Sequence, residues 1–177
     1  MRVVAGQARG RRLVAPRGLD TRPTSDRVRE AVFNALRSID ALADARVADL
    51  FAGSGAMGIE ALSRGAASCV FVERDPAAAA VIEQNLAQTG VSGGTVVRAD
   101  VMRWLATHGR PATPWDLVLA DPPYGFDEWA ALLDGLDAEV VVIESDREVE
   151  PGNRWLITRS KRYGGTVVTF VARAAQR

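Results

Sequence analysis

The chain is poor in the residues that build disulfides and metal sites. Among its 177 residues there is one cysteine, Cys69. A single cysteine excludes an internal disulfide framework and suits a reducing compartment, so we expect a cytoplasmic protein. No second cysteine offers a metal site, and no metal is expected. No apolar run approaches the roughly 20 residues that cross a bilayer, and no apolar segment follows the first arginines, so neither a membrane span nor a signal peptide is expected.

Acidic residues are scarce at both ends of the chain, although the net charge is zero. Residues 1–37 hold nine arginines and three acids, and residues 154–177 hold six basic residues and no acid. The stretch between them must therefore be acidic. Two basic ends around an acidic middle favour a polyanionic partner that the ends hold, with the chemistry elsewhere. A GC-rich genome would explain why arginine replaces lysine, but not why acids are missing.

The first residues predict a basic extension before the main domain. Two strand-like runs, Arg2–Gly6 and Arg12–Ala15, flank turn-prone residues and indicate a β-hairpin. A helix should follow, with Thr24 or Ser25 as its N-cap and a single apolar face. We expect this extension to occupy residues 1–40 and the main domain residues 41–177.

Short apolar strands alternate with helices in the rest of the chain, which favours a parallel sheet covered on both faces. The predicted strands are Val47–Phe51, Cys69–Glu73, Thr95–Arg98, Leu117–Ala120, Val140–Glu144, Trp155–Arg159 and Thr166–Val171. The predicted helices are Gly58–Arg64, Pro76–Thr89, Val101–Thr107 and Phe126–Leu136. Only Ser160–Gly165 separates the last two strands, which indicates an antiparallel hairpin. The expected fold is a mainly parallel seven-stranded α/β sheet that ends in this hairpin.

A glycine-rich loop follows the first of these strands. Gly53, Gly55 and Gly58 match the spacing of a dinucleotide-binding loop, and Glu73 lies about 20 residues beyond, so an NAD site is a real alternative. Asp49 favours S-adenosylmethionine instead, because a carboxylate beside the loop would hold the ammonium of its methionine part and repel a pyrophosphate. Asp100 ends the third strand, where it could accept a hydrogen bond from an adenine amine, while Glu73 accepts from ribose hydroxyls.

The fourth strand ends in Asp121-Pro122-Pro123-Tyr124. The prolines lack N–H groups for a sheet ladder and stiffen the turn. The turn therefore presents an acceptor carboxylate, free carbonyls and an aromatic face, which suit a planar group bearing an exocyclic amine. We predict that Asp121 and Pro122 accept hydrogen bonds from that amine and that Tyr124 stacks on its ring. This tetrad resembles that of methyltransferases that act on nitrogens conjugated to planar systems.

With these motifs in place, nearly the whole chain resembles the bacterial RsmD family of 16S rRNA guanine-N2 methyltransferases. The resemblance rests on five segments: residues 6–13, residues 21–34, residues 49–55, Asp121–Tyr124 and the C-terminal hairpin. The Arg-Pro-Thr-Ser-Asp-Arg-Val-Arg-Glu run within residues 21–34 is the most specific. The resemblance implies a class I methyltransferase Rossmann-like fold, S-adenosylmethionine as the cofactor, and a target guanine in an assembled small-subunit particle. The protein is expected to be a monomer.

These interpretations define two sets of binding residues. The expected cofactor contacts are Asp49, Phe51, Gly53, Ser54, Gly55, Glu73, Arg74, Asp100, Val101 and Thr24. The expected RNA contacts are Arg9, Arg11, Arg12, Arg22, Arg27, Arg29, Lys161 and Arg162, which would mainly hold phosphates.

Other functions account for less of the sequence. A DNA adenine-N6 methyltransferase uses the same tetrad but normally carries a target-recognition insertion that this chain lacks. A protein glutamine-N5 methyltransferase usually has Asn where this chain has Asp121. An NAD-dependent oxidoreductase would leave Asp121–Tyr124 without a role, and a non-catalytic RNA-binding protein would explain the basic ends alone.

Overall fold

A seven-stranded sheet forms the centre of the computed structural model, which describes residues 1–16 and 26–174. Its strands are β1 (Arg46–Leu50), β2 (Ser68–Glu73), β3 (Gly94–Arg98), β4 (Trp115–Ala120), β5 (Ala138–Ser145), β6 (Trp155–Tyr163) and β7 (Thr166–Arg173). They lie in the order β3-β2-β1-β4-β5-β7-β6. β1 to β5 run parallel, and β7 pairs antiparallel with both β5 and β6. The predicted sheet and its C-terminal hairpin are confirmed.

Helices cover both faces of this sheet. They are α1 (Asp26–Ser38), α2 (Ala56–Ser63), α3 (Pro76–Thr89), α4 (Val101–His108) and α5 (Trp129–Asp134). Successive strand residues serve opposite faces, because side chains alternate along a strand. Val47 of β1 packs into the core under α1, α2 and α3, whereas Ala48 packs into the core under α4 and α5.

The parallel strands on either side of β1 end level with one another. Leu50, the last residue of β1, pairs with Ala120 at the end of β4 and with Val72 near the end of β2. The segments that follow these three strands therefore leave the sheet side by side. The chain also reverses its strand order between β1 and β4, and open α/β sheets bind ligands at such a point.

The N-terminal hairpin packs on α2 and has only a short ladder of its own, in which the N–H groups of Val3 and Leu13 donate to the carbonyls of Arg11 and Met1. A single antiparallel bridge, between Arg2 and Arg12, replaces the two predicted strands. The backbone N–H of Val4 donates instead to the buried carboxylate of Glu60, at 2.7 Å. Because Glu60 of α2 accepts hydrogen bonds from the hairpin backbone, the hairpin is anchored to a helix that covers the sheet. The N-cap prediction for α1 lies outside the described residues.

Arg29 is fully buried in α1, so the prediction that it contacts RNA is wrong. Its Nη2 lies 2.9 Å from Asp26 Oδ1 and also donates to the carbonyl of Arg2. Its Nε lies 3.6 Å from Glu60 Oε2. An arginine in a basic extension is expected to face solvent, and no local sequence pattern shows the buried acid on α2 that faces Arg29.

Two element boundaries differ from the prediction by three residues or more, and the others by two at most. The last helix is shorter than Phe126–Leu136, because the turn after the Asp-Pro-Pro-Tyr tetrad delays its start to Trp129. β6 continues through most of the predicted loop Ser160–Gly165, since Tyr163 still pairs with Thr166 of β7. The hairpin turn is correspondingly tight, and the basic residues of this segment lie on a strand.

Candidate active site

The loop between β1 and α2 turns sharply through a run of left-handed conformations. Phe51, Gly53 and Gly55 have φ values of 59°, 55° and 74°. Glycine adopts such angles without strain, whereas Phe51 is held there at a cost of about 1–3 kcal/mol. The N–H of Gly55 donates to the carbonyl of Ala52 at 2.7 Å, which closes the turn just before α2. The predicted glycine loop thus lies at the carboxyl end of β1, where backbone can approach a ligand closely.

Asp49 is buried beneath this loop. Its Oδ2 accepts a hydrogen bond from the N–H of Gly58 at 2.8 Å, which ties β1 to the first turn of α2. Burial raises the pKa of Asp49 to about 8, although the Gly58 bond acts in the opposite direction. The carboxyl groups of Asp121 and Glu73 raise this pKa further, so the three acids share one locality. A cationic group beside Asp49 would stabilise its charged form.

Glu73 is buried at the end of β2 and connects two loops. Its Oε2 accepts from the N–H of Gly53, and its Oε1 accepts from the N–H of Asp75, both at 2.8 Å. A carboxylate oxygen can accept more than one hydrogen bond. Glu73 can therefore hold the glycine loop in place and still accept from a ligand with two hydroxyls.

Asp100 lies at the end of β3, where it begins α4. Its Oδ1 accepts from the N–H of Arg103 at 3.1 Å, so the side chain acts as an N-cap. Its half-buried position leaves the carboxylate accessible to a ligand. Of the other predicted cofactor contacts, Val101 is buried in the core, Arg74 is exposed, and Thr24 lies outside the described residues.

The Asp121–Tyr124 turn lies beside the glycine loop. Asp121 follows the β4 residue that pairs with the last residue of β1, and its N–H points to the carbonyl of Leu50 at 3.5 Å. Pro122 is buried, whereas the ring of Tyr124 is 59% exposed. The turn thus combines a fixed backbone with a solvent-facing carboxylate and aromatic ring.

Three aromatic rings, from residues on either side of the turn, pack edge to face in a row. The Phe51 and Phe126 rings meet edge to face with centroids 5.4 Å apart, and Phe126 meets Trp129 in the same way at 5.0 Å. The guanidinium of Arg147 donates to the carbonyl of Phe126 at 2.8 Å. Sequence reasoning gave Phe126 no site role, because a single aromatic after a turn has no periodic signal.

Sequence reasoning also missed Asn85 in α3. Its side-chain amide donates to the carbonyl of Ser54, in the middle of the glycine loop, at 2.9 Å. A polar residue in a predicted helix is usually taken as solvent-facing. A buried asparagine in a helix interior would have been the signal, but burial is not visible in the sequence.

The predicted RNA contacts form two groups. The exposed members are Arg9, Arg11, Arg12, Arg27, Lys161 and Arg162, and Arg22 lies outside the described residues. The hairpin carries Arg9, Arg11 and Arg12, and Arg27 lies at the start of α1, whereas Lys161 and Arg162 belong to β6. The side chain of Arg11 donates to the carbonyl of Thr89. Lys161 Nζ lies 5.2 Å from the ring centre of Tyr163.

The described residues contain no group of three or more His, Cys, Asp or Glu side chains placed to hold a metal ion. In the same part of the chain, no helix has the length and apolar character needed to cross a membrane.

The strand order, with β7 running antiparallel between β5 and β6, is that of the class I methyltransferases, and the protein is an enzyme of this class. The Asp-Pro-Pro-Tyr turn beside the glycine loop is consistent with that assignment. A family model described as "Conserved hypothetical protein 95" matches residues 1–172, and the chain belongs to this family, the RsmD family. The resemblance seen in the sequence is confirmed.

Individual relatives agree with this assignment along nearly their whole length. Ribosomal RNA small subunit methyltransferase D of Escherichia coli strain K12 is 38% identical over 186 aligned residues, covering 99% of this chain and 91% of that protein. The solved structure of yhhF from Escherichia coli superposes with a TM-score of 0.86 at 36% identity and covers 99% of both chains. A hypothetical protein of Thermus thermophilus, TTHA0928, gives a TM-score of 0.84 at 30% identity, with 97% of this chain and 99% of that chain covered.

Proposed function

We propose that the protein transfers a methyl group from S-adenosylmethionine to the exocyclic N2 amine of one guanine in 16S rRNA. The observation that carries this proposal is that the carboxyl groups of Asp49, Glu73 and Asp121 lie close together where the parallel strands end. The similarity to a relative named for small-subunit ribosomal RNA methylation supplies the substrate class.

The acids near the ends of β1, β2 and β3, namely Asp49, Glu73 and Asp100, match the polar groups of this cofactor. Asp49 would accept from the ammonium of the methionine part, directly or through water. Glu73 would accept from the ribose hydroxyls, and Asp100 from the adenine amine. When bound, S-adenosylmethionine supplies an electrophilic methyl carbon on a sulfonium sulfur. The remaining proposed cofactor contacts are Phe51, Gly53, Ser54, Gly55, Arg74, Val101 and Thr24.

The turn after β4 would hold the target amine. The carboxylate of Asp121 and the carbonyl of Pro122 would accept hydrogen bonds from the two N–H groups of this amine. These bonds would turn the nitrogen lone pair out of conjugation with the ring and towards the methyl carbon. Tyr124 stacks on the base, an interaction worth about 1–3 kcal/mol. The nitrogen–carbon bond would form as the carbon–sulfur bond breaks, and S-adenosylhomocysteine would leave with the electron pair of that bond. The alkylated nitrogen is acidic and releases its proton to water, so positioning and charge stabilisation supply most of the rate.

The exposed cations would grip RNA phosphates. In the C-terminal basic end, Arg154 and Arg173 are already used within the fold, because Arg154 donates to the carbonyl of Leu136 and Arg173 pairs with Asp137. Lys161 and Arg162 remain exposed on the half of β6 nearest the carboxyl ends of the parallel strands. They therefore lie at the same end of the sheet as Asp121, where the parallel strands terminate. This position suits a phosphate backbone that passes the site.

A preformed ribosomal surface would select the target guanine. Phosphate contacts carry little sequence information, and within residues 1–16 and 26–174 no RNA-reading module stands apart from the sheet, its helices and the hairpin. An assembled small-subunit particle presents one guanine in a fixed shape, which a small monomeric enzyme in the bacterial cytoplasm can recognise. A base held in a helix would first have to flip out of its stack.

Transfer of labelled methyl groups tests this function. Unmodified small subunits, naked 16S rRNA and DNA are incubated with labelled S-adenosylmethionine, and the products are digested to nucleosides. We expect N2-methylguanosine, mainly from the subunits. N6-methyladenine from DNA would overturn the substrate, and absence of transfer to any of the three would overturn the proposed reaction.

A matched pair of variants tests the role of Asp121. Asp121→Ala should lower turnover at least 100-fold without weakening cofactor binding, because its acceptor acts on the target amine. Asp127→Ala removes another exposed carboxylate of the same loop and should behave as the wild type. Equal turnover in the two variants would contradict the assignment.

A further inference from the structure

Asn85 makes an unusual set of hydrogen bonds from the interior of α3. Its side chain is fully buried. Its Oδ1 accepts from the N–H of Val14 at 2.8 Å, and its Nδ2 donates to the carbonyl of Val14 at 2.9 Å. The same Nδ2 donates to the carbonyl of Ser54 at 2.9 Å. One amide group therefore bonds both backbone groups of a hairpin residue and one backbone group of the glycine loop.

These bonds are not needed to form α3 itself. Asparagine is a poor residue for a helix interior, and a buried amide costs free energy unless its partners are in place. All three partners belong to segments far away in sequence, with Val14 71 residues distant and Ser54 31 residues distant. The arrangement fixes how the hairpin and the glycine loop lie relative to each other.

A second contact strengthens the same junction. The Arg11 guanidinium donates to the carbonyl of Thr89, near the end of α3. The Thr89 hydroxyl in turn donates to the backbone carbonyl of Asn85 at 2.6 Å. The hairpin strand that contains residues 11–14 is therefore held along the last turns of α3, beside the loop proposed to carry the cofactor.

We propose that Asn85 is a positioning residue that couples the N-terminal hairpin to cofactor binding. By holding the Ser54 carbonyl, it keeps the glycine loop in its binding conformation, and by pairing with Val14 it makes that conformation depend on the docked hairpin. Coupling of this kind is reciprocal, so cofactor binding also tightens the hairpin. The cationic hairpin would thus be docked most tightly on α3 when the methyl donor is bound.

Another anchor of the hairpin, besides Glu60, provides a matched control. Ser63, the last residue of α2, accepts from the N–H of Ala8 at 3.0 Å and donates to the carbonyl of Ala5 at 2.6 Å. These bonds hold the hairpin but do not involve the glycine loop. Ser63→Ala loosens only the turn end of the hairpin, at residues 5–8, and leaves residues 11–14 docked on α3 through Asn85 and Thr89.

The first test measures the affinity of the full chain for S-adenosylhomocysteine by calorimetry. We expect Asn85→Ala to weaken binding at least fivefold, and Asn85→Asp to do the same, because an acid would turn an acceptor towards two carbonyls. Ser63→Ala should stay within twofold of the wild type. Wild-type affinity in both Asn85 variants, or an equal loss in Ser63→Ala, would overturn the coupling.

The second test measures amide hydrogen exchange with and without ligand. If Asn85 had only a structural role, its replacement would leave the ligand's effect on the exchange of Val14 unchanged. In the wild type and in Ser63→Ala, saturating S-adenosylhomocysteine should slow exchange of the Val14 N–H severalfold. In Asn85→Ala the same ligand, at a concentration adjusted to saturation, should protect the glycine loop and leave Val14 unaffected. Because the coupling rests on the proposed function, a wild-type protein that does not bind the ligand would overturn both. A wild type that binds without protecting Val14 would overturn the coupling alone.

Discussion

At the scale of single residues, the buried carboxyl of Asp49 makes cofactor binding sensitive to pH. In the ligand-free protein its pKa is about 8, so it is largely protonated at neutral pH. An ammonium group beside it favours the carboxylate and lowers that pKa, so binding releases a proton below pH 8. We expect the affinity for S-adenosylhomocysteine to rise from pH 6 to pH 8, by up to tenfold per pH unit, and then to level off. Calorimetry in two buffers of different ionisation enthalpy measures both the affinity and the proton released.

Asp49→Asn is the control for this pH dependence. The amide keeps an acceptor for the N–H of Gly58 but cannot ionise. Its affinity should be lower than that of the wild type at pH 8 and nearly independent of pH between 6 and 8. A slope that persists in this variant would assign the proton to another group.

At the scale of secondary-structure elements, Gly58 sets how closely α2 approaches β2. A Cβ at this position would lie 2.3 Å from Phe71 Cε1 and 2.6 Å from Cys69 Sγ, so the helix would have to move. We expect Gly58→Ala to lower the free energy of unfolding by about 1–3 kcal/mol, as overpacking of a core does. It should also weaken cofactor binding, because the Gly58 N–H holds Asp49. Urea unfolding and ligand titration measure the two effects.

A double variant separates steric crowding from other effects of the alanine. Phe71→Leu removes the ring atoms that the new methyl group would meet. In that background Gly58→Ala should cost clearly less than in the wild type, because residues in contact are not additive. An equal cost in both backgrounds would show that crowding against Phe71 is not the cause.

The same elements show why the strands could be predicted and some boundaries could not. A buried parallel strand is a short apolar run that ends at an acid or a turn, so the predicted Cys69–Glu73 falls within one residue of β2. The start of α5 depends on how the tetrad loop folds back onto Phe51 and Arg147, which no local pattern encodes. Similarly, β6 extends beyond its predicted end because β7 continues to pair with it.

At the scale of the whole molecule, the sequence predicts the residues that the sheet topology brings together. It does not predict the residues whose burial depends on contacts between distant segments. Asp49 and Glu73 were predictable because strand ends converge in this fold whatever the details of packing. The burial of Arg29 and Asn85 was not, since it depends on how the hairpin docks against α2 and α3. Both side chains look like surface residues in sequence, and both join the hairpin to the helices that cover the sheet.

The buried carboxyl of Asp49 also affects the stability of the whole molecule. Its folded pKa of about 8 lies above its ordinary value of 3.8, so the folded state binds the extra proton between these limits. The contribution of this group is therefore fully present below pH 4 and is lost as the pH rises towards 8, by up to about 1.4 kcal/mol per pH unit. Asp49→Asn cannot lose that proton, so its stability relative to the wild type should increase by about 2–3 kcal/mol from pH 6 to pH 8. Urea unfolding of both proteins across this range measures the difference. Parallel pH profiles for the two proteins would mean that Asp49 is already charged in the folded state, and that the fold holds its carboxylate at the cofactor site without the help of a ligand.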